Sequence, residues 1–170
     1  MDNKTPVLPP FYSRYVKLVS AISLPLALQE SGLIVQEYAG HWTEEQVHFR
    51  YAPEKWTARE VLIHMIDAER VFAYRALRFG RGDQTVLPGF EENQYAEQYV
   101  HDSRGIDEIL HEMRLVREST IALFSSFSPE IMERQGEAST IQLSVRSIGE
   151  IIVGHENHHM KVLREKYFPN

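Results

Sequence analysis

Apolar residues recur at helical spacing along four stretches of the chain, separated by polar connections. The first stretch begins after Ser23, a residue able to cap a helix, and runs to about Tyr38. Leu26, Leu33, Ile34 and Tyr38 lie among its apolar positions and Gly40 is its stop, while Gly32 weakens its middle. The second opens on Thr57-Ala58-Arg59-Glu60, the sequence form of a capping box, and carries Val61, Met65, Ala68, Phe72 and Ala76 until Gly80 and Gly82 end it. At roughly 22 residues it spans about 33 Å. The third repeats Ile106, Leu110, Met113, Val116, Thr120, Leu123 and Phe127, with Pro129 just beyond. The fourth, capped by Ser144 and reaching about Tyr167, turns Val145, Ile148, Ile151, Ile152, Val162 and Leu163 inward. No strand pattern of comparable length appears, and the segment before Ser144 reads as a polar loop. The pattern predicts an all-α four-helix bundle.

The connections refine this picture. Residues 1–20 carry Pro9, Pro10, Phe11, Tyr12 and Tyr15, and read as an N-terminal arm with a short helix, packed on a single domain that takes in residues 1–170. Between Gly80 and Arg104 the chain is rich in Gly, Pro, Asp and Asn, around Pro88-Gly89-Phe90, and is long for a bundle connection. Such a segment can reach the full length of a helix, so the third helix need not run antiparallel to the second.

Composition narrows the chemistry. With 170 residues, 43% of them hydrophobic, the chain can bury a core without staples. It has no cysteine, so a metal would have to use imidazole and oxygen ligands. A net charge of −6 opposes binding to nucleic acid. Neither a signal-peptide pattern nor a membrane-spanning run is present, which makes a cytoplasmic location the expectation and a membrane an unexpected partner.

Histidine placement carries the strongest chemical signal. With Val145 as zero and 100° per residue, the apolar side of the fourth helix centres near about 310°, His155 falls near about 280° and His159 near about 320°. His158, near about 220°, belongs at the stripe's edge. Two histidines four residues apart can meet one ion, although that spacing alone also fits one packed and one exposed ring. His64 adds a third imidazole, among Val61, Ala68 and Val71 of the second helix. It lies about as far from the start of its helix as His159 does from the end of the fourth. The levels match if those two helices are antiparallel, which an up-down-down-up order provides.

The segments KWTAREVLIHMIDAERVFAYRALRFGRGD, LPGFEENQYA and VRSIGEIIVGHENHHMKVLREKY resemble the DinB-like superfamily, in order and with its spacing. The resemblance implies an up-down-down-up bundle, one divalent ion (Zn, Ni or Fe) on His64, His155 and His159, and a homodimer. It also implies a low-molecular-weight thiol such as bacillithiol, mycothiol or glutathione as cofactor, used in S-transfer or isomerisation, with metal-dependent S-transfer to a small-molecule substrate as the expected activity. The alternatives are a metal-dependent hydrolase and a non-catalytic metal- or ligand-binding module.

Other side chains are candidates beside these. Asp67, one turn from His64, could orient a ligand or act as a general base, and Asp67 or His158 could close the site as a fourth ligand. Glu69 reads as a surface charge, and Glu156 as solvated or salt-bridged. Arg75, Arg78 and Arg81 complement the end of the second helix, and Arg75 or Arg78 could hold a substrate or thiol carboxylate. The Pro88–Asn93 stretch could be a lid or a strap.

Overall fold

Reciprocal caps start two of the long helices. Thr57 accepts from the Glu60 N–H while Glu60 accepts from the Thr57 N–H, and Ser144 and Ser147 pair in the same way. Each such cap contributes about 1 kcal/mol and sets where its helix begins. The computed structural model describes residues 8–17, 19 and 23–169; residues 1–7, 18 and 20 of the expected arm lie outside these. The helices are α1 (Pro10–Val16), α2 (Leu24–Ala39), α3 (Glu44–His48), α4 (Ala58–Gly80), α5 (Glu92–Gln98), α6 (Ile106–Ser125), α7 (Pro129–Met132) and α8 (Val145–Val162). Strands β1 (Gln135–Ala138) and β2 (Ile141–Ser144) precede α8. Two helix ends differ from expectation: α6 stops at Ser125 rather than Phe127, and α8 gives way after Val162 to a π-helical turn over Leu163–Tyr167.

Helices α2, α4, α6 and α8 form the bundle, and contacts between them fix its directions. Arg59, early in α4, donates to the Asp102 and Arg104 carbonyls just before α6. At the other end, the Phe127 ring after α6 lies against Gly80. Helices α4 and α6 are therefore parallel. The Tyr167 hydroxyl donates to the Trp56 carbonyl over 2.6 Å, bringing the chain after α8 to the start of α4, so those two are antiparallel. Gln36, late in α2, donates to the Leu110 carbonyl early in α6, and Leu24 lies against Gly149 near the starts of α2 and α8. The order is up-down-down-up, and the 81–105 segment is the crossover that permits it.

Two apolar clusters fill the bundle. One gathers Leu28, Phe72, Phe79, Phe124, Ile148 and Ile151; the other gathers Val35, Leu62, Ile66, Ile109, Met160 and Leu163. Between them lies a polar layer of Ser31, Glu69, Arg117, Thr120 and Glu156, each no more than 5% exposed. Arg117 donates to both carboxylates and to the Leu28 carbonyl and Ser31 hydroxyl. Glu69 is thus a buried ion-pair member rather than a surface charge, and Glu156 is paired and buried rather than solvated. The apolar positions of α2 divide between its two sides. Leu26, Leu33 and Ile34 are exposed, while Leu24, Ala27, Leu28, Val35 and Ala39 are buried. At position 32 the inner side has no room for a side chain, because a Cβ on Gly32 would come within 3.0 Å of Arg117 Nη1.

The expected polar loop before α8 contains the hairpin, with Gln135 opposite Ser144 and Ala138 opposite Ile141. Its turn residues, Ser139 and Thr140, have φ of 53° and 65°. That mirror-image turn suits the twist of a two-residue hairpin, but its residues are not the usual Asn-Gly pair. Leu87 of the crossover bonds to the hairpin through its N–H and its carbonyl.

Candidate metal centre

Helix α4 presents His64 to the interior two turns after its cap, and α8 presents His155 and His159 from adjacent turns. Antiparallel packing brings the three rings to one level. His64 Nε2 lies 3.1 Å from His155 Nε2, which lies 3.0 Å from His159 Nε2. The three ligand atoms fall within 4.8 Å of one another. Two nitrogens bound at about 2.1 Å to one ion, at about 90–110°, lie about 3.0–3.4 Å apart, so the spacing fits a shared divalent cation.

Their protonation fits it as well. Burial, opposed weakly by Glu92, lowers the His64 pKa to about 4. Burial, with the neighbouring imidazoles His64 and His158, lowers His159 to about 3. Burial and then His159 and His64 hold His155 well below the ordinary range. At neutral pH all three rings are uncharged and have lone pairs for a cation. Among the described residues, no fourth side chain joins the group.

A cavity of about 280 Å³ opens on this cluster. Trp56 flanks His64, with ring centres 4.8 Å apart, and Tyr15 stands 5.5 Å from both His155 and His158. Tyr15 reaches that place because α1 packs backbone to backbone on α8 at Gly154. Phe72, Arg75, Phe90, Glu92 and Ser139 complete the farther wall. Arg75 is 2% exposed, and burial, offset in part by Tyr12, lowers its pKa.

The remaining candidates fall in different places. Asp67 accepts from the Tyr99 hydroxyl at 2.9 Å and does not line the cavity. Arg78 turns to Asp83 and Tyr74, away from the histidines. Arg81 lies over the Phe127 ring. His158 lines the cavity, its ring centre 5.3 Å from that of His159, but stays outside the convergent trio. Of the Pro88–Asn93 stretch, Phe90 and Glu92 reach the cavity, and the Pro88 carbonyl accepts from Arg75. Trp56 is marked in the sequence only by its place before the second helix, in the segment that resembles the family, and Tyr15 and Ser139 are not marked as site residues at all. An aromatic before a helix and a serine in a turn carry no mark of a site until the fold brings them together. Arg117 did leave a signal, since it falls on the Leu110, Met113, Thr120, Phe124 spacing of the buried face of α6.

Comparison with known proteins bears on the family and the fold. The sequence profile of the DinB superfamily matches residues 28–163. No curated protein matches the sequence. Among solved structures, YfiT from Bacillus subtilis superposes with a TM-score of 0.70 at 14% identity, covering 94% of this chain and 90% of its own. That protein is described as a probable metal-dependent hydrolase with an unusual four-helix bundle topology. No described helix is long and apolar enough to cross a membrane.

Proposed function

The chain belongs to the DinB superfamily, and from that membership and its three-imidazole cluster we propose that it is a metal-dependent enzyme that joins a small thiol, through its sulfur, to an electrophile as the electrophile's leaving group departs. The observation that carries the reading is the convergence of three neutral Nε2 atoms at one side of a cavity, with no fourth protein ligand among the described residues. Catalytic sites keep such a position open, whereas structural sites close it. A divalent ion there lowers the pKa of a thiol or water bound to it and so supplies a nucleophile near neutral pH. His64, His155 and His159 would hold the ion. Trp56, Tyr15 and Phe72 limit the water around them, and the cavity is of a size for a small molecule rather than a polymer.

Hydrolysis is the second reading, supported by the description of the Bacillus subtilis fold relative. Water then takes the place of the thiol in the same cavity. The metal-loaded protein should be incubated with bacillithiol or glutathione and a panel of electrophiles, and separately with esters and amides without thiol. Controls are the His155→Ala protein and free metal at equal concentration. Metal-dependent conjugation above both controls supports S-transfer, and thiol-independent cleavage above both replaces it with hydrolysis. Neither activity in a protein that retains its metal rejects both, in favour of a binding module.

A further inference from the structure

Arg75 is almost completely buried, yet it borders the cavity shared by the histidines. Its Nη2 donates to the Pro88 carbonyl and to Ser139 Oγ, both at 3.0 Å, and Tyr12 is a further hydrogen-bond partner. Every one of these partners is neutral, and among the described residues no carboxylate forms an ion pair with Arg75. A buried cation without a counter-charge is costly, and the face of the Phe72 ring offsets only part of that cost. The positive charge therefore needs another explanation.

The cavity supplies one. Exposed Arg14 adds a second guanidinium to its lining and Glu92 is the single carboxylate there, so the lining is cationic before any metal binds. Phe72 lies between the two polar ends: its ring centre is 5.5 Å from the Arg75 guanidinium carbon and 6.5 Å from the centre of the His155 ring. We infer that the cavity takes a small organic acid whose carboxylate seats on Arg75, whose apolar chain lies on Phe72 and whose reacting end reaches the three histidines. A guanidinium matches a carboxylate through paired N–H donors, and the crossover and hairpin hold it in position from behind through Pro88 and Ser139. This assignment rests on the histidine cluster as the reacting end, and it names the class of molecule delivered there.

The test uses cobalt-loaded full-length protein and two thiols, 3-mercaptopropionate and 6-mercaptohexanoate, each beside its carboxamide. Hexanoate and hexanamide, which lack sulfur, accompany them. Calorimetry gives affinities and the sulfur-to-cobalt charge-transfer band reports the thiol end. The acid should bind about tenfold or more tightly than the amide for at least one chain length, as a charge-assisted pair predicts. Arg75→Gln should bring acid affinity down to that of the amide, whereas a purely structural role for Arg75 would weaken both ligands alike and keep the preference. Arg75→Lys should keep part of the preference, and serves if the glutamine variant does not fold. Equal binding of acid and amide by the wild-type protein overturns the assignment, as does a full acid preference in Arg75→Gln. A carboxylate preference seen with hexanoate, but no charge-transfer band with either thiol, upholds the organic-acid site and rejects the thiol reading alone.

Discussion

The carbonyl of Tyr15 occupies the space that a side chain at position 154 would need. A Cβ on Gly154 would stand 2.0 Å from that oxygen and 2.4 Å from its carbon. Backbone cannot yield as a flexible side chain does, so Gly154→Ala should push α1 off α8 and open the cavity wall that Tyr15 forms. We expect a loss of about 1–3 kcal/mol in urea denaturation and faster tryptic cleavage at Arg14. The variant should still take up metal, because all three imidazoles remain. Unchanged cleavage would mean that the arm does not depend on this contact.

Substituting the histidines one at a time should separate ligands from neighbours. His64→Ala, His155→Ala and His159→Ala should each lose divalent metal on gel filtration, measured by elemental analysis, with affinity falling by more than the roughly 10–100-fold typical of outer-shell changes. His158→Ala should stay near one ion per chain. Equal loss from all four substitutions would put His158 among the ligands.

Metal-free protein should weaken as the pH falls. Folding lowers the pKa of His64 to about 4 and of His159 to about 3, from 6.5, and holds His155 well below that value. The unfolded chain therefore binds more protons below about pH 6.5, and stability present above that pH is lost on the way down. Each ring that stays neutral contributes a slope of about 1.4 kcal/mol per pH unit. Urea midpoints in chelator at about pH 7.5 and pH 5 test this. A midpoint that rises on acidification would show that the folded rings accept protons.

Arg117 should behave as a buried hub. Burial alone would lower its pKa, but Glu156 and Glu69 outweigh that and raise it. Arg117→Met leaves two buried carboxylates without a counter-charge and should cost about 3–5 kcal/mol, whereas converting all three residues to apolar ones of similar volume should recover most of it. Chemical denaturation of the single and triple variants decides. A single variant as stable as the wild type would show that the carboxylates are hydrated or protonated.

Much of this was legible in the sequence because the signals were local. Thr57 and Glu60 are three residues apart and cap each other as read, and His155 and His159 meet as adjacent turns require. The long crossover, with His64 at a matched level, pointed to the helix order. What stayed hidden depended on partners distant in sequence. Glu69 looked like a surface charge because its counter-ion is 48 residues away on α6. Periodicity does not mark the buried side of α2, because that helix is apolar on several sides, and the Arg117 guanidinium that lies against Gly32 comes from a helix distant in sequence. The hairpin escaped notice because its strands are four residues long and its turn lacks glycine and asparagine.

The Arg117 hub also bears on how the chain folds. Its guanidinium, carried on α6, is satisfied by Leu28 and Ser31 of α2, Glu69 of α4 and Glu156 of α8. Undocking α6 leaves two carboxylates without a counter-charge, and undocking any other of these helices takes acceptors from the guanidinium in a half-formed interior, where an unmet polar group is at its most costly. Partly assembled forms are therefore penalised by the residue that completes the native one. The bundle should unfold in one cooperative step, with urea transitions followed by tryptophan fluorescence and by far-ultraviolet circular dichroism coinciding.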